Sequence, residues 1–241
     1  MAQILSFSGG KDSTAMLHKM LEKGEQIDEI LFFDTSWEWP QMYEHLALVE
    51  EKTGRKITRL RPEKPFDYFA FERLPERTKR IYKGYGWPSI KGRWCTRLKQ
   101  ETMDRYIKAH YDLTDLVQCV GFAIGEERRI RGRMADHRFR FPLIEMNLDE
   151  WACKDYCYEL GYHWGGLYDY FNRVSCFCCP LQSKRELFVK KRHFPEIWER
   201  LRAMDRRIQQ NCAEFGRCPG MRFTARETFL QIDSSIPESS H

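Results

Sequence analysis

The sequence predicts an α/β protein, with a doubly wound, mostly parallel sheet and a helical C-terminal lobe. Three observations carry that prediction. Short β-branched or aromatic segments alternate with helical patterns up to about residue 125. A pair of glycines follows the first of these segments at a strand-to-helix turn. In the last third the apolar residues recur at helical spacing instead.

The first strand, Gln3–Phe7, runs into Ser8-Gly9-Gly10-Lys11-Asp12-Ser13, and a helix over Asp12–Lys23 follows. Paired glycines let backbone N–H groups approach an anion. The helix start adds its dipole and unpaired amides, and Lys11 with the serine hydroxyls adds charge and donors. The spacing is not G-x-x-x-x-G-K-[ST], which excludes an ordinary Walker A loop. A second strand, Glu29–Asp34, a helix over Gln41–Thr53 and a third strand, Lys56–Leu60, continue the alternation. Ligands of such sheets bind at the carboxyl ends of strands, so the Ser8 loop and Asp34 are expected to face one nucleotide. Between Pro62 and Gly92 the pattern breaks into a proline- and aromatic-rich stretch, read as a long functional loop or lid. A fourth strand, Leu116–Phe122, places Gly121 at its end.

Ile197, Leu201, Met204, Ile208, Cys212 and Phe215 form one helical stripe, with Arg200, Arg202, Arg206 and Arg207 mostly off it on a solvated face. Cys212 reads as core, as does Cys119 in the fourth strand. Cys153 and Cys157, one turn apart after the expected cap Asp149, read as packing residues rather than chelators. Arg128, Arg129, Arg131, Arg133, Arg138 and Arg140 form the densest positive segment, suited to phosphate, sulfate or a nucleic acid. Surface arginines with no such role are the alternative.

Cys176-Phe177-Cys178-Cys179-Pro180 clusters three of the chain's nine cysteines in one tight turn. Such a turn suits an iron–sulfur cluster, while C-x-x-C alone equally suits zinc or a redox pair. The net charge of +5 permits a phosphorylated or nucleic-acid partner without requiring one. No run of about 18 apolar residues is present to span a membrane, and a core strand occupies the place of a secretory signal. A cytoplasmic enzyme without a membrane partner is expected.

Several motifs recur in order. They are the Ser8–Ser13 loop, Asp34-Thr35 followed by Trp39-Pro40-Gln41-Met42-Tyr43, Pro142-Leu143 with Asp149-Glu150-Trp151, and Leu167-Tyr168-Asp169 before the cysteine turn. With them the chain resembles the adenylyl-sulfate and phosphoadenosine phosphosulfate (PAPS) reductase family of the PP-loop ATP-pyrophosphatase superfamily, over roughly residues 3–182. The resemblance implies an adenine nucleotide alpha hydrolase-like fold. It divides the chain into a nucleotide-binding domain with a cysteine-rich metal site over residues 1–182, a helical extension over 183–233 and a disordered tail over 234–241. It implies that Ser8, Gly9, Gly10, Lys11, Asp12, Ser13, Asp34 and Gly121 hold the nucleotide, with Lys11, Asp12 and Asp34 acting in catalysis. Cluster-bearing members carry adjacent cysteines near Cys95. Here Trp94 replaces one of them and Cys178 is an added thiol, so Cys95, Cys176, Cys178 and Cys179 are the expected [4Fe–4S] ligands. Cys218 is the substitute, and zinc or no metal the alternatives.

Two departures stand out. Gly121-Phe122-Ala123-Ile124-Gly125-Glu126 replaces a Gly-Ile-Arg-x-Asp-type motif, and no Glu-Cys-Gly-x-His segment follows. The expected function is therefore ATP- and Mg2+-dependent adenylation with pyrophosphate release, followed by sulfur transfer. The expected partners are a tRNA or DNA substrate, a sulfur-donor protein and a second copy of the chain. A sulfite-releasing reductase and a catalytically inactive nucleotide sensor are the alternatives.

Overall fold

The computed structural model describes residues 1–75, 81–89, 92–174, 176–216, 219–224 and 226–237. Its sheet contains five parallel strands in the order β3-β2-β1-β4-β5. These are β1 (Ala2–Phe7), β2 (Glu29–Phe33), β3 (Ile57–Leu60), β4 (Leu116–Val120) and β5 (Phe139–Arg140). Register aligns Leu5 with Ile30 on one side and with Cys119 on the other. Ile4, Leu5, Ile30, Leu31, Phe32 and Cys119 are buried, as expected of a sheet covered on both faces. The expected strands are all present within one or two residues of their ends. The two-residue β5 was not foreseen, because a pair of residues carries no periodicity.

Helices α1 (Lys11–Glu22), α2 (Pro40–Thr53) and α3 (Trp94–His110) follow in sequence. After β4 come α4 (Glu127–Ile130), α5 (Pro142–Glu145), α6 (Glu150–Glu159) and α7 (Leu167–Tyr170). The chain ends in α8 (Lys184–His193), α9 (Pro195–Phe215) and α10 (Phe229–Ser235). Asp149 caps α6 as expected, accepting from Trp151 N and Ala152 N. No described helix is long and apolar enough to cross a membrane.

Two compact units divide the chain, one of residues 1–34, 38–60 and 101–175, the other of residues 35–37, 61–100 and 176–241. The first contains the sheet. In the second, the C-terminal helices pack with residues 61–100, a division that cuts across a boundary at residue 182. The stretch from Pro62 to Gly92 is therefore not a structureless lid in its described part. A π-helical turn, Tyr68–Glu72, is bridged by Tyr85 N to Phe69 O and Gly86 N to Ala70 O. Trp87 is buried and donates its Nε1 to Asp205 of α9 at 2.8 Å. Aromatic burial and backbone pairing fix this segment.

The α9 stripe buries Ile197, Leu201, Met204 and Ile208, but Cys212 is only half-buried. Asn211 takes the interior place beside it, donating to Phe71 O at 2.8 Å. The arginines expected on a solvated face are partly engaged: Arg202 pairs with Glu199 and Asp233, and Arg207 with Glu72.

Candidate functional site

The loop between β1 and α1 lies at the carboxyl end of the strand where sheet order reverses, between β1 and β4. Gly9 has φ +75°, and a Cβ there would lie 2.3 Å from Met42 Sδ, so both backbone and space require glycine. Trp164 Nε1 donates to Gly9 O at 2.7 Å, fixing the turn from outside. Ser13 Oγ accepts from Ser8 N at 3.2 Å and reaches Gly10 O at 3.0 Å, closing the loop from inside. Gly121, after β4, faces the start of α1: an added Cβ would sit 3.2 Å from Ser13 N and Cα. A side chain there would press on the α1 backbone, so glycine suits the approach.

Lys11 is 5% exposed, and its Nζ donates to Asp12 Oδ1 at 2.8 Å and Glu150 Oε2 at 3.1 Å. Glu150 also accepts from Arg173 at 2.6 Å. Arg173 reaches Glu126, which is also taken by Arg129. Six alternating charges thus run from Arg129 through Glu126, Arg173, Glu150 and Lys11 to Asp12. Burial pushes the Asp12 carboxyl above its usual range, with the Lys11 ammonium pulling the other way. Glu150 is held low: the donors Arg173 and Lys11 together outweigh its burial.

Tyr168, from α7, places its hydroxyl 2.9 Å from the Lys11 amide and accepts that N–H. The Lys11 amide, expected to face phosphate, is occupied by this phenol. Burial keeps the phenol protonated far above neutral pH, and Val174 N also donates to its oxygen. Its own proton remains to donate. Neither this hydroxyl nor Glu126, Glu150 and Arg173 was assigned a role from sequence, although Tyr168 lies in the Leu-Tyr-Asp motif. Acids and a lone arginine spread over 48 positions carry no spacing signal.

Asp34 follows the end of β2. It is fully buried and accepts from Tyr43 Oη of α2 at 2.8 Å, rather than lining an open cleft.

Residues 2–118 match the phosphoadenosine phosphosulfate reductase domain. That segment belongs to the family. The match takes in the Ser8–Ser13 loop, Asp34 and Cys95, and ends before Gly121 and the cysteine turn. The chain is also similar to two uncharacterized proteins of Methanocaldococcus jannaschii. One is 30% identical over 215 residues, covering 82% of this chain and 40% of the relative. The other is 25% identical over 206 residues, covering 81% and 45%. The chain thus spans less than half the length of these curated relatives.

The described cysteines divide sharply. Cys119, Cys153 and Cys157 have no exposed surface, and Cys157 Sγ donates to Lys11 O at 3.3 Å. Burial pushes the thiols of Cys119 and Cys153 up to about 12, which makes them packing residues, as expected. The four expected cluster ligands behave differently. Cys95 and Cys179 lie close enough to influence each other's charge, and burial raises the Cys95 thiol. Cys179 N donates to Cys176 O at 3.1 Å, making the turn. Cys178, however, is 1% exposed while its neighbours Cys176 and Cys179 are half-buried. Among the described residues no three His, Cys, Asp or Glu side chains converge on a metal position. Cys218, the expected substitute ligand, lies outside the described residues. Beneath the turn, the fully buried Lys190 donates to Phe177 O and Gln182 Oε1. Its pKa falls to about 8 through burial, against the pull of Cys178, Cys176 and Cys179.

Proposed function

We propose that this chain binds ATP with its phosphates at the Ser8–Ser13 loop and transfers the adenylyl group to an oxygen of a second substrate. The observation that carries this reading is the left-handed glycine turn at the switch point, directly ahead of the α1 N-terminus. Substrate oxygen attacks the α-phosphorus, the α–β bridging bond breaks, and pyrophosphate leaves. A sulfide-level nucleophile then attacks the carbon bearing the activated oxygen, that C–O bond breaks, and AMP departs with the oxygen. Lys11, released from Asp12 and Glu150 by incoming phosphate, neutralises charge on the leaving pyrophosphate, and Tyr168 donates its proton to a phosphate oxygen. Magnesium accompanies the phosphates as counter-charge. No step passes through the cysteine turn.

The family match supports a second reading, a reductase that releases sulfite from an adenylyl-sulfate. Calorimetric titration tests the loop. Wild-type protein should bind ATP more tightly than AMP. Gly10→Val, whose side chain starts 3.2 Å from Tyr168 Oη, should lose that preference by tenfold or more. Unchanged ATP affinity in the variant rejects the loop assignment. Sulfite release from adenylyl-sulfate with added thiol would favour the second reading.

A further inference from the structure

The cavity beside Lys11 carries more recognition chemistry than a triphosphate on the loop engages. It measures about 550 Å³ and is lined by the β4–α4 connection, the start of α6 and residues 171–173. Trp151, on the first turn of α6, lines it while 69% exposed, so an indole face is open to a planar ligand. Lys11, Arg128, Arg129, Lys154 and Arg173 contribute five cations to the wall, against three carboxylates from Glu126, Asp149 and Glu150. The excess favours an anion.

The arginine segment extends this charge outward. Arg129, Arg138 and Arg140 are consumed by carboxylates: Glu126, Asp136, and Glu25 with Glu145. Arg128, Arg131 and Arg133 are exposed and make no ion pair among the described residues; Arg133 lies over the Phe139 ring at 5.1 Å. One of these three lines the cavity and two continue beyond it, so the uncompensated charge outruns a single phosphate. An exposed aromatic face beside a run of cations is the combination that holds single-stranded nucleic acid, bases stacking and phosphates tracking the charge.

We propose that the cavity takes one nucleotide unit of a single-stranded nucleic acid, its base stacked on Trp151, its phosphate on Arg128 and Lys154, and the neighbouring phosphates on Arg131 and Arg133. It rests on the adenylation reading only in making this strand the second substrate; strand binding itself does not require the ATP loop. A free nucleotide offers the same base and phosphate but nothing for the outer arginines.

Fluorescence titration of the full chain with a labelled single strand of about twelve nucleotides decides the matter. Binding should quench tryptophan emission and weaken steeply with added salt. Trp151→Ala should weaken strand binding tenfold or more, and Trp151→Phe should retain most of it. Arg131→Ala with Arg133→Ala should weaken binding and lower the salt slope by about two. ATP affinity should stay within twofold in all of these variants. No strand binding at low salt, or wild-type binding by Trp151→Ala, overturns the proposal. AMP binding as tightly as the strand, with no effect of the double arginine variant, would assign the cavity to a free nucleotide and reject the polymer. Strand binding that survives in Gly10→Val while ATP binding is lost separates this site from the loop.

Discussion

His45 of α2 shows how a single side chain holds the loop from below. It is 3% exposed, its ring stacks on Trp164 at 4.3 Å, and its Nε2 lies 2.9 Å from Thr14 Oγ1. Thr14 Oγ1 donates onward to Gly10 O at 3.1 Å, so Nε2 carries the proton given to Thr14. The other ring nitrogen, Nδ1, is buried without a partner, which agrees with a neutral ring. Burial, and then the charge of nearby His18, lowers its pKa to about 3. In the unfolded chain a histidine protonates near ~6.5, whereas folded His45 resists protonation until about 3. The unfolded state therefore binds the proton first, and stability falls as pH drops through that window. Urea unfolding between about pH 7 and pH 4 should show this decline. His45→Gln should flatten it, even though the variant is less stable at neutral pH. An unaltered slope in the variant would remove His45 from the account.

Among the elements, α10 departs most from expectation. Ser234 and Ser235 were expected in a disordered tail, yet they close a helix capped by Thr228 and Gln231. Asp233 ties it to the preceding helices. It accepts from Arg202 Nη2 at 2.8 Å and Trp198 Nε1 at 2.9 Å of α9, and it pairs with Lys191 of α8 at 2.9 Å. Burial opposes ionisation, but these donors together hold its carboxyl far below the usual range. The side chain is 12% exposed, so the cluster is shielded from solvent. Asp233→Asn should cost about 3 kcal/mol at neutral pH, because Lys191 loses its carboxylate while largely buried and Arg202 is left with Glu199 alone. The depressed pKa makes this contribution present above about pH 4 and lost as pH falls further. Denaturant midpoints of the two proteins should therefore converge in acid. A neutral-pH difference below about 0.5 kcal/mol would show the clamp to be incidental.

At the scale of the whole molecule, ligand linkage offers the broadest check. A nucleotide that binds only the folded chain at a hundred times its dissociation constant adds about 2.7 kcal/mol. For a chain of 241 residues that corresponds to a rise in melting temperature of about 5–10 °C. Differential scanning fluorimetry with ATP should show it in the wild type, and Gly10→Val should lose it. A shift of equal size in the variant would place ATP elsewhere. The charge balance belongs to this scale too. A net charge of +5 says nothing of where the charge lies, but folding pairs Arg129, Arg138 and Arg140 with carboxylates and leaves Arg128, Arg131 and Arg133 as the uncompensated part of the arginine segment.

What the sequence by itself determined was local in origin. Alternating apolar segments specified four of the five strands, and Gly9 and Gly10 marked the turn before α1, because periodicity and backbone permissiveness act over a few residues. The packing role of Cys119, Cys153 and Cys157 was legible for the same reason: each sits on the apolar side of its element. Only the tertiary structure decided which distant groups meet. Tyr168 reaches the Lys11 amide across 157 positions, and Glu150 reaches its ammonium across 139. Asp34, at the expected strand end, turned to Tyr43 instead of an open cleft. The cysteine turn formed, but Cys178 went inward, and no spacing rule registers which of two adjacent thiols the core will take. A hydrogen bond or ion pair depends on positions in space, and those follow from the sheet order, in which β4 lies beside β1 although more than a hundred residues separate them.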